Sequence, residues 1–352
     1  MVSVSIINVT SYTGLELLRL LAQHPQFELT SVTGRSAVGK RLNEVFPQLG
    51  IAAACGFANA ANLIISAEPG QTDLAFVCLP HAAAAESILP LLERGIKVVD
   101  LSADFRLRDA TIYEEWYKHT HPAPALLESA VYGLCERYRE QIASASLVAN
   151  PGCYATAAIL ALLPAISTHI ITSDLIIDAK SGLSGAGRGL SLGTHYAEAN
   201  EDVSAYSLTG HRHLAEITQE LEAASLADAL RITFIPHLIP MTRGILATCY
   251  AELKRDEFGQ LPTTEQVQAL YTEYYDDESF VHIVDQPPHT KWTYGSNACL
   301  IYPMVDTRTG RLLVISCLDN LVKGAAGQAI QNANILSGLP ETTGLPVLSL
   351  YP

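Results

Sequence analysis

Residues 2–23 read VSVSIINVTSYTGLELLRLLAQ. The opening VSVSII has the length and apolar content of a short buried strand, 15–23 repeats leucine at helical spacing, and the few residues between them leave room only for a turn. Strand, tight turn and helix in that order open a βαβ unit. FELTSVT (27–33), LAFVCLP (74–80) and KVVDLS (97–102) continue the same texture with helical stretches between them. Strands separated by helices pair in parallel through right-handed crossovers, so the first third predicts a doubly wound, Rossmann-type sheet.

The turn carries the first chemical signal. A helix starting at its end aims backbone N–H groups and the positive end of its dipole into the turn, the arrangement that holds a dinucleotide diphosphate. A loop with three glycines would have them at 8, 11 and 14, whereas this chain has Asn8, Ser11 and Gly14. Asparagine tolerates left-handed backbone and serine is small, so a phosphate site over Thr10, Ser11, Tyr12, Thr13 and Gly14 stays open, as does an ordinary turn. After the second strand, Gly34-Arg35-Ser36 stands where an NAD site would have an acidic residue for the ribose. Arg35 and Ser36 suit a 2′-phosphate and therefore NADP(H), although a solvated loop arginine would read the same way.

From about residue 172 the pattern changes. ITSDLIIDAK, LRITFIPHLIP, GILATCYAEL, SFVHIV, NACLIYPMV and RLLVISCL follow one another with little helix between them, which predicts an α+β domain built on a mostly antiparallel sheet. Leu321 to Leu336 again reads as helix. The change of texture divides the chain into a dinucleotide-binding domain over 1–149 and a second domain from 150.

The 352 residues carry a formal charge of −14, which disfavours nucleic acid or an anionic membrane as partner. No apolar run approaches the roughly 20 residues needed to span a bilayer, and the N-terminus has no basic segment leading into an apolar one, so a cytoplasmic protein is expected. The seven cysteines, Cys55, Cys78, Cys135, Cys153, Cys249, Cys299 and Cys317, include no CxxC pair, which argues against a disulfide framework or a zinc site. No metal is expected.

Among the cysteines Cys153 stands apart. It lies in Asn150-Pro151-Gly152-Cys153-Tyr154, where a Pro-Gly turn places it in the first turn of a helix with body AILALL. Unpaired N–H groups and the dipole favour a thiolate there, although a buried structural cysteine before a core helix is the commoner fate of such a residue. Gly210-His211-Arg212-His213 supplies two histidines for acid/base work near neutral pH and an arginine for an anion. His24, His169 and His237 read as surface or loop residues.

These segments, with Leu79-Pro80-His81, Leu101-Ser102-Ala103-Asp104-Phe105-Arg106-Leu107, Ser181-Gly182-Leu183-Ser184-Gly185-Ala186-Gly187-Arg188, Thr242-Arg243-Gly244 and Asp319-Asn320-Leu321-Val322-Lys323-Gly324, are similar to those of the N-acetyl-gamma-glutamyl-phosphate reductase family. That family is the arginine-pathway relative of aspartate-semialdehyde dehydrogenase, and the resemblance runs over essentially the whole chain. It implies a dinucleotide-binding domain over 1–149 completed by 319–352, a catalytic and oligomerisation domain over 150–318, and NADPH-dependent reduction of an acyl phosphate to an aldehyde through a Cys153 thioester. His211, with His213 in reserve, would move the proton on the thiohemiacetal oxygen. Arg106, Arg188, Arg212 and Arg243 become candidates for the substrate phosphate and carboxylate. Pro80, His81, Ser181, Gly182, Ser184, Gly185, Gly187 and Asn320 become candidates for the nicotinamide pocket, and a homo-oligomer, dimer or tetramer, is expected.

Two departures from the family pattern are the altered glycine loop and Cys135, which stands where a proline is usual. Two other readings remain: a sister reductase acting on carrier-bound aminoadipate phosphate in lysine synthesis, and a non-catalytic nucleotide-binding module.

Overall fold

The computed structural model describes residues 1–52, 58–225 and 229–351; Cys55 lies outside them. The chain divides into two compact units, one comprising Met1–Pro151 and Ala325–Leu345, the other Gly152–Gly324 and Pro346–Pro352.

In the first unit, β1 (Val2–Ile7), β2 (Phe27–Val32), β3 (Leu74–Val77), β4 (Lys97–Asp100), β5 (Val131–Tyr132) and β6 (Leu147–Ala149) form one sheet in the order β2-β1-β3-β4-β6-β5. Every pairing is parallel. Leu74 to Val77 are all buried, as expected of a central parallel strand covered on both faces. Chain order reverses at β1, between β2 and β3, so the loops after β1 and β3 lie at the topological switch point, where open α/β sheets bind ligands.

Helix Gly327–Leu336 belongs to this unit although it comes from the end of the chain, and it is buried along its whole length. Its polar side chains donate to groups outside the helix: Gln328 and Asn332 to the Gly133 carbonyl (3.1 and 2.9 Å), Gln331 to the Glu341 carboxylate (3.1 Å), and Asn334 to the carbonyls of Glu341 and Thr343. His24 is buried against it, 3.0 Å from Asn334 Oδ1, so it is a core histidine and not the surface residue that its sequence context predicts. Cys135 is the first residue of helix Cys135–Ser144, where proline is favoured because its missing N–H costs nothing. Its thiol instead meets Asn332 Oδ1 at 3.1 Å.

The second unit centres on helix Cys153–Ser167, buried from Tyr154 to Ile166. It packs against a sheet of β7 (Ile171–Gly182), β8 (Ser204–Ala205), β9 (Arg231–Ile239), β10 (Ile245–Leu253), β11 (Val281–Ile283), β12 (Cys299–Asp306) and β13 (Arg311–Leu318), in the order β11-β12-β13-β10-β7-β9-β8. The sheet is mixed: β7–β9 and β11–β12 pair in parallel, the other neighbours antiparallel. Residues along β10 and β12 alternate between buried and half-buried, so one face is covered and the other open. Register places Ile176, Tyr250, Leu313 and Met304 in one apolar row across the open face. Among the described residues no helix is long and apolar enough to cross a membrane.

Candidate active site

The first unit offers a cleft of about 600 Å³ lined by the ends of β1 to β3, including Asn8, Gly34, Arg35 and Leu79. Asn8 adopts φ +66°, the left-handed conformation that glycine would otherwise supply, and its side chain donates to the Cys78 carbonyl at 2.8 Å. The asparagine therefore makes the turn and ties the β1 loop to the β3 loop. Ser11 has ordinary φ and caps helix Tyr12–Leu21, accepting from the Gly14 N–H at 3.0 Å. Only the third position requires glycine: a Cβ on Gly14 would lie 2.7 Å from the Val9 carbonyl oxygen. These residues fit a dinucleotide, because the turn packs tightly under a helix N-terminus at the switch point and exposed Arg35 lines the adjoining cleft.

The motif at 101–107 acts on the loop after β3. Asp104 is fully buried and accepts from the N–H groups of Ala82 (2.7 Å), Ala84 and Ala85 and from the Tyr113 hydroxyl. It thereby caps helix Ala85–Glu93 and holds Ala82 at φ +61°, which fixes the segment carrying Pro80 and His81. Arg106, expected at the substrate, is buried and donates to the carbonyls of Asn150 (2.8 Å) and Leu101 (3.1 Å).

In the second unit Cys153 is the first residue of its helix, and it is half-buried, whereas every other described cysteine is buried. Gly152 forms the N-cap, and its N–H donates to Glu216 Oε1 at 2.6 Å. Glu216 is itself buried in helix His213–Glu222, so a carboxylate pins the turn before the thiol. On the other side a Cβ at Gly324 would lie 2.8 Å from the Cys153 Cβ, which explains why the Asp319–Gly324 motif ends in glycine.

His211, Tyr206 and Tyr154 converge beside this helix start. The His211 ring meets those of Tyr154 and His213 with centroids 5.6 and 4.8 Å apart. Burial, reinforced by the Arg212 charge, pushes the His211 pKa down to about 4, so the ring is neutral at physiological pH. Burial pushes the Tyr206 hydroxyl up to about 12, with the charge of Cys153 adding to it, and raises that of Tyr154 as well. His237 lies on β9 with Nδ1 3.1 Å from Asp178 Oδ1, so it is a sheet residue and not a loop residue.

Residues 181–187 form a turn clamped to the neighbouring loop: Leu183 and Ser184 donate to the carbonyls of Met241 and Thr242. Buried Asn320 links both sides, donating to Ser184 Oγ (2.9 Å) and accepting from the Gly244 N–H (2.8 Å). Arg243 is held by Asp319 at 3.5 Å and lies over the Tyr294 ring, while Arg188 and Arg212 are exposed. Tyr206 and Glu216 carry no signal of their own in the sequence, and only the Gly-His-Arg-His motif between them marks the neighbourhood. Gly324 closes the Asp-Asn-Leu-Val-Lys-Gly motif, but its role beside Cys153 is not legible there.

Residues 3–145 match the family described as semialdehyde dehydrogenase, NAD binding domain, and 153–320 match semialdehyde dehydrogenase, dimerisation domain. The chain is 53% identical over 99% of its length, and 98% of the relative's, to an N-acetyl-gamma-glutamyl-phosphate reductase of Dehalococcoides mccartyi. It is 49% identical over the full length of both chains to the enzyme so named in Heliobacterium modesticaldum. Among solved structures, aspartate semialdehyde dehydrogenase II from Vibrio cholerae superimposes with a TM-score of 0.70 at 16% identity, covering 96% of this chain and 99% of that one. Aspartate semialdehyde dehydrogenase with NADP from Candida albicans gives 0.65 at 15%, covering 96% and 98%. The two structures share the fold.

Proposed function

The chain belongs to the N-acetyl-gamma-glutamyl-phosphate reductases, within the semialdehyde dehydrogenase family, and from that membership we propose that Cys153 is its nucleophile. The protein is an NADP-dependent oxidoreductase of arginine biosynthesis, reducing N-acetyl-gamma-glutamyl phosphate to N-acetylglutamate 5-semialdehyde and phosphate.

The observation that carries the assignment of Cys153 is its position. It is the one described cysteine that is not buried, it opens a helix, and Gly324 leaves space beside it. The helix N-terminus stabilises the thiolate, which attacks the acyl carbon. A C–S bond forms as the bond to phosphate breaks, leaving a thioester. NADPH, when bound, supplies the hydride that reduces it. The C–S bond then breaks, and Cys153 regains its thiolate as the aldehyde departs. His211 serves the carbonyl oxygen, with His213 behind it. Arg188, Arg212 and Arg243 hold the phosphate and carboxylate of the substrate. Arg106, whose Nε and Nη2 donate to the carbonyls of Asn150 and Leu101, braces Asn150 at the end of β6.

Residues 10–14 with Arg35 and Ser36 hold the nucleotide end of the cofactor. Pro80, His81, Asn320 and Ser181, Gly182, Ser184, Gly185 and Gly187 line the nicotinamide. The apolar row of Ile176, Tyr250, Leu313 and Met304 is the face a second copy covers, making the protein a cytoplasmic homo-oligomer.

The test runs the reaction in reverse. N-acetylglutamate 5-semialdehyde, phosphate and NADP are expected to yield NADPH with wild type and none with Cys153→Ala, with NAD a poor replacement. Absence of phosphate-dependent NADPH formation by folded wild-type protein rejects the reading.

A further inference from the structure

One dipeptide, Tyr294-Gly295, bears on Arg243 from two sides, and a distant segment clasps it. Buried Asp319 accepts from the Gly295 N–H at 2.7 Å through Oδ2, and the same oxygen lies 3.5 Å from Arg243 Nη1. Its Oδ1 accepts from the Leu321 N–H at 2.8 Å. The Tyr294 ring centre lies 5.8 Å from the guanidinium carbon of Arg243. Gly295 is buried at φ +75°, in a turn closed by the Ser296 N–H on the Thr293 carbonyl. The clasp is segment 346–350, which belongs to the same unit. The Asn297 N–H donates to the Pro346 carbonyl and the Leu350 N–H to the Tyr294 carbonyl, both at 2.8 Å. Beside these bonds the Leu350 side chain rests on the bare backbone of Gly295, where a Cβ would stand 2.8 Å from Leu350 Cδ1. Leu350 remains 63% exposed, so it covers the turn without serving as a core residue.

Resting on the reading of Arg243 as a substrate arginine, we propose that segment 346–350 is a strap that aims the Arg243 guanidinium through Tyr294 and Gly295. Tyr294 and Leu350 are positioning residues for binding of the substrate anion. The reason lies in what a guanidinium needs. Its paired N–H bonds to a carboxylate or phosphate require a fixed plane, and an unrestrained arginine side chain has many rotamers to lose before it can offer one. Asp319 gives Arg243 a fixed countercharge, and Tyr294 gives it a flat surface. Leu321 anchors Asp319 whichever way the turn moves, whereas Tyr294 and Gly295 move with the turn. Slack in the strap therefore leaves Arg243 charged and close to Asp319 but no longer oriented, which weakens the anion contact without abolishing it.

Steady-state kinetics of the reverse reaction tests this. Arg243→Ala defines which KM reports on the arginine, that of N-acetylglutamate 5-semialdehyde or that of phosphate. Leu350→Pro, which removes the N–H, and Tyr294→Leu, which removes the ring, are each expected to raise that KM about three- to tenfold. The KM for NADP and the melting temperature should stay nearly unchanged. Leu350→Met and Tyr294→Phe, which keep the cover and the ring, should match wild type. In an Arg243→Ala background neither Leu350→Pro nor Tyr294→Leu should raise the KM further, a coupling that a merely structural role would not produce. An unchanged KM in Leu350→Pro, or an undiminished effect in the absence of Arg243, overturns the strap. If Arg243→Ala raises neither KM, the substrate role of Arg243 fails and the strap falls with it, while phosphate-dependent NADPH formation still supports the Cys153 reading. Should wild type be inactive, phenylglyoxal labelling with peptide mapping decides without turnover. Several-fold faster modification of Arg243 in Leu350→Pro, with Arg188 unchanged, supports the strap, and an unchanged rate at Arg243 overturns it.

Discussion

The Cβ of Cys153 lies 2.8 Å from where a Cβ on residue 324 would stand, so the start of the Cys153 helix passes over the bare backbone of Gly324. Both positions are held in helical backbone, one opening a buried α-helix and one within the buried π-helical segment Val322–Ala326, so neither can yield cheaply. Gly324→Ala should displace the thiol, cost about 1–3 kcal/mol of stability and lower kcat at least tenfold. Steady-state kinetics beside the rate of iodoacetamide labelling checks this. Unchanged values for both would mean the π-helical segment shifts freely.

Glu216 governs the other side of the thiol. Glu216→Ala leaves the buried Gly152 N–H without its acceptor, a loss of about 1–3 kcal/mol. Denaturant unfolding should register that loss, and Glu216→Gln, which retains a carbonyl oxygen, should recover most of it.

Asn8 predicts an asymmetry between two small substitutions. Glycine keeps the positive φ and loses only the bond to the Cys78 carbonyl, whereas alanine loses the bond and is strained by about 1–2 kcal/mol. Calorimetry should find NADPH affinity within a few-fold of wild type for Asn8→Gly and clearly weaker for Asn8→Ala. Equal losses would place the effect on the hydrogen bond alone.

Arg35 lines the cleft at the end of β2 and, on the reading above, meets the 2′-phosphate. Arg35→Ala should weaken NADPH binding by about 10- to 100-fold and leave NADH binding nearly unchanged. A parallel fall in both affinities would remove the arginine from that role.

His211 also makes stability depend on pH. Its folded pKa of about 4 lies below the ordinary value of 6.5, so between these limits the unfolded chain binds a proton that the folded chain does not. Stability is therefore full above about pH 6.5 and falls as the pH drops toward 4. Buried His24 and His121 are lowered too and act in the same direction. Melting curves of wild type and His211→Gln should accordingly converge toward acid pH, because the variant lacks one of these terms.

Much of the fold is written in local pattern. VSVSII, LAFVCLP and KVVDLS are apolar because both faces of a parallel strand are covered, and the turn at 8–14 is short because strand leads directly into helix. The two-residue β5 and the three-residue β6 are too short to announce themselves. The parallel pairing of β7 with β9 joins strands far apart in sequence, which no local period encodes. Likewise nothing in GQAIQNANIL marks a fully buried helix. Its amides are tolerated in the core because carbonyls at Gly133, Glu341 and Thr343 receive them.

The sequence by itself determined the chemistry available: one cysteine after a Pro-Gly turn, a pair of histidines around an arginine, and an arginine where a nucleotide fold would otherwise have an acid. Those are properties of residue type and short spacing, which a chain displays before it folds. Tertiary structure alone decided which groups are free to act. Arg106 is buried with Nε and Nη2 donating to backbone carbonyls, and Asn8 replaces a glycine by taking its conformation. Tyr206, five residues before His211 and 52 after Tyr154, lies within hydrogen-bond distance of both. Which polar groups meet is decided only once distant segments have been brought together.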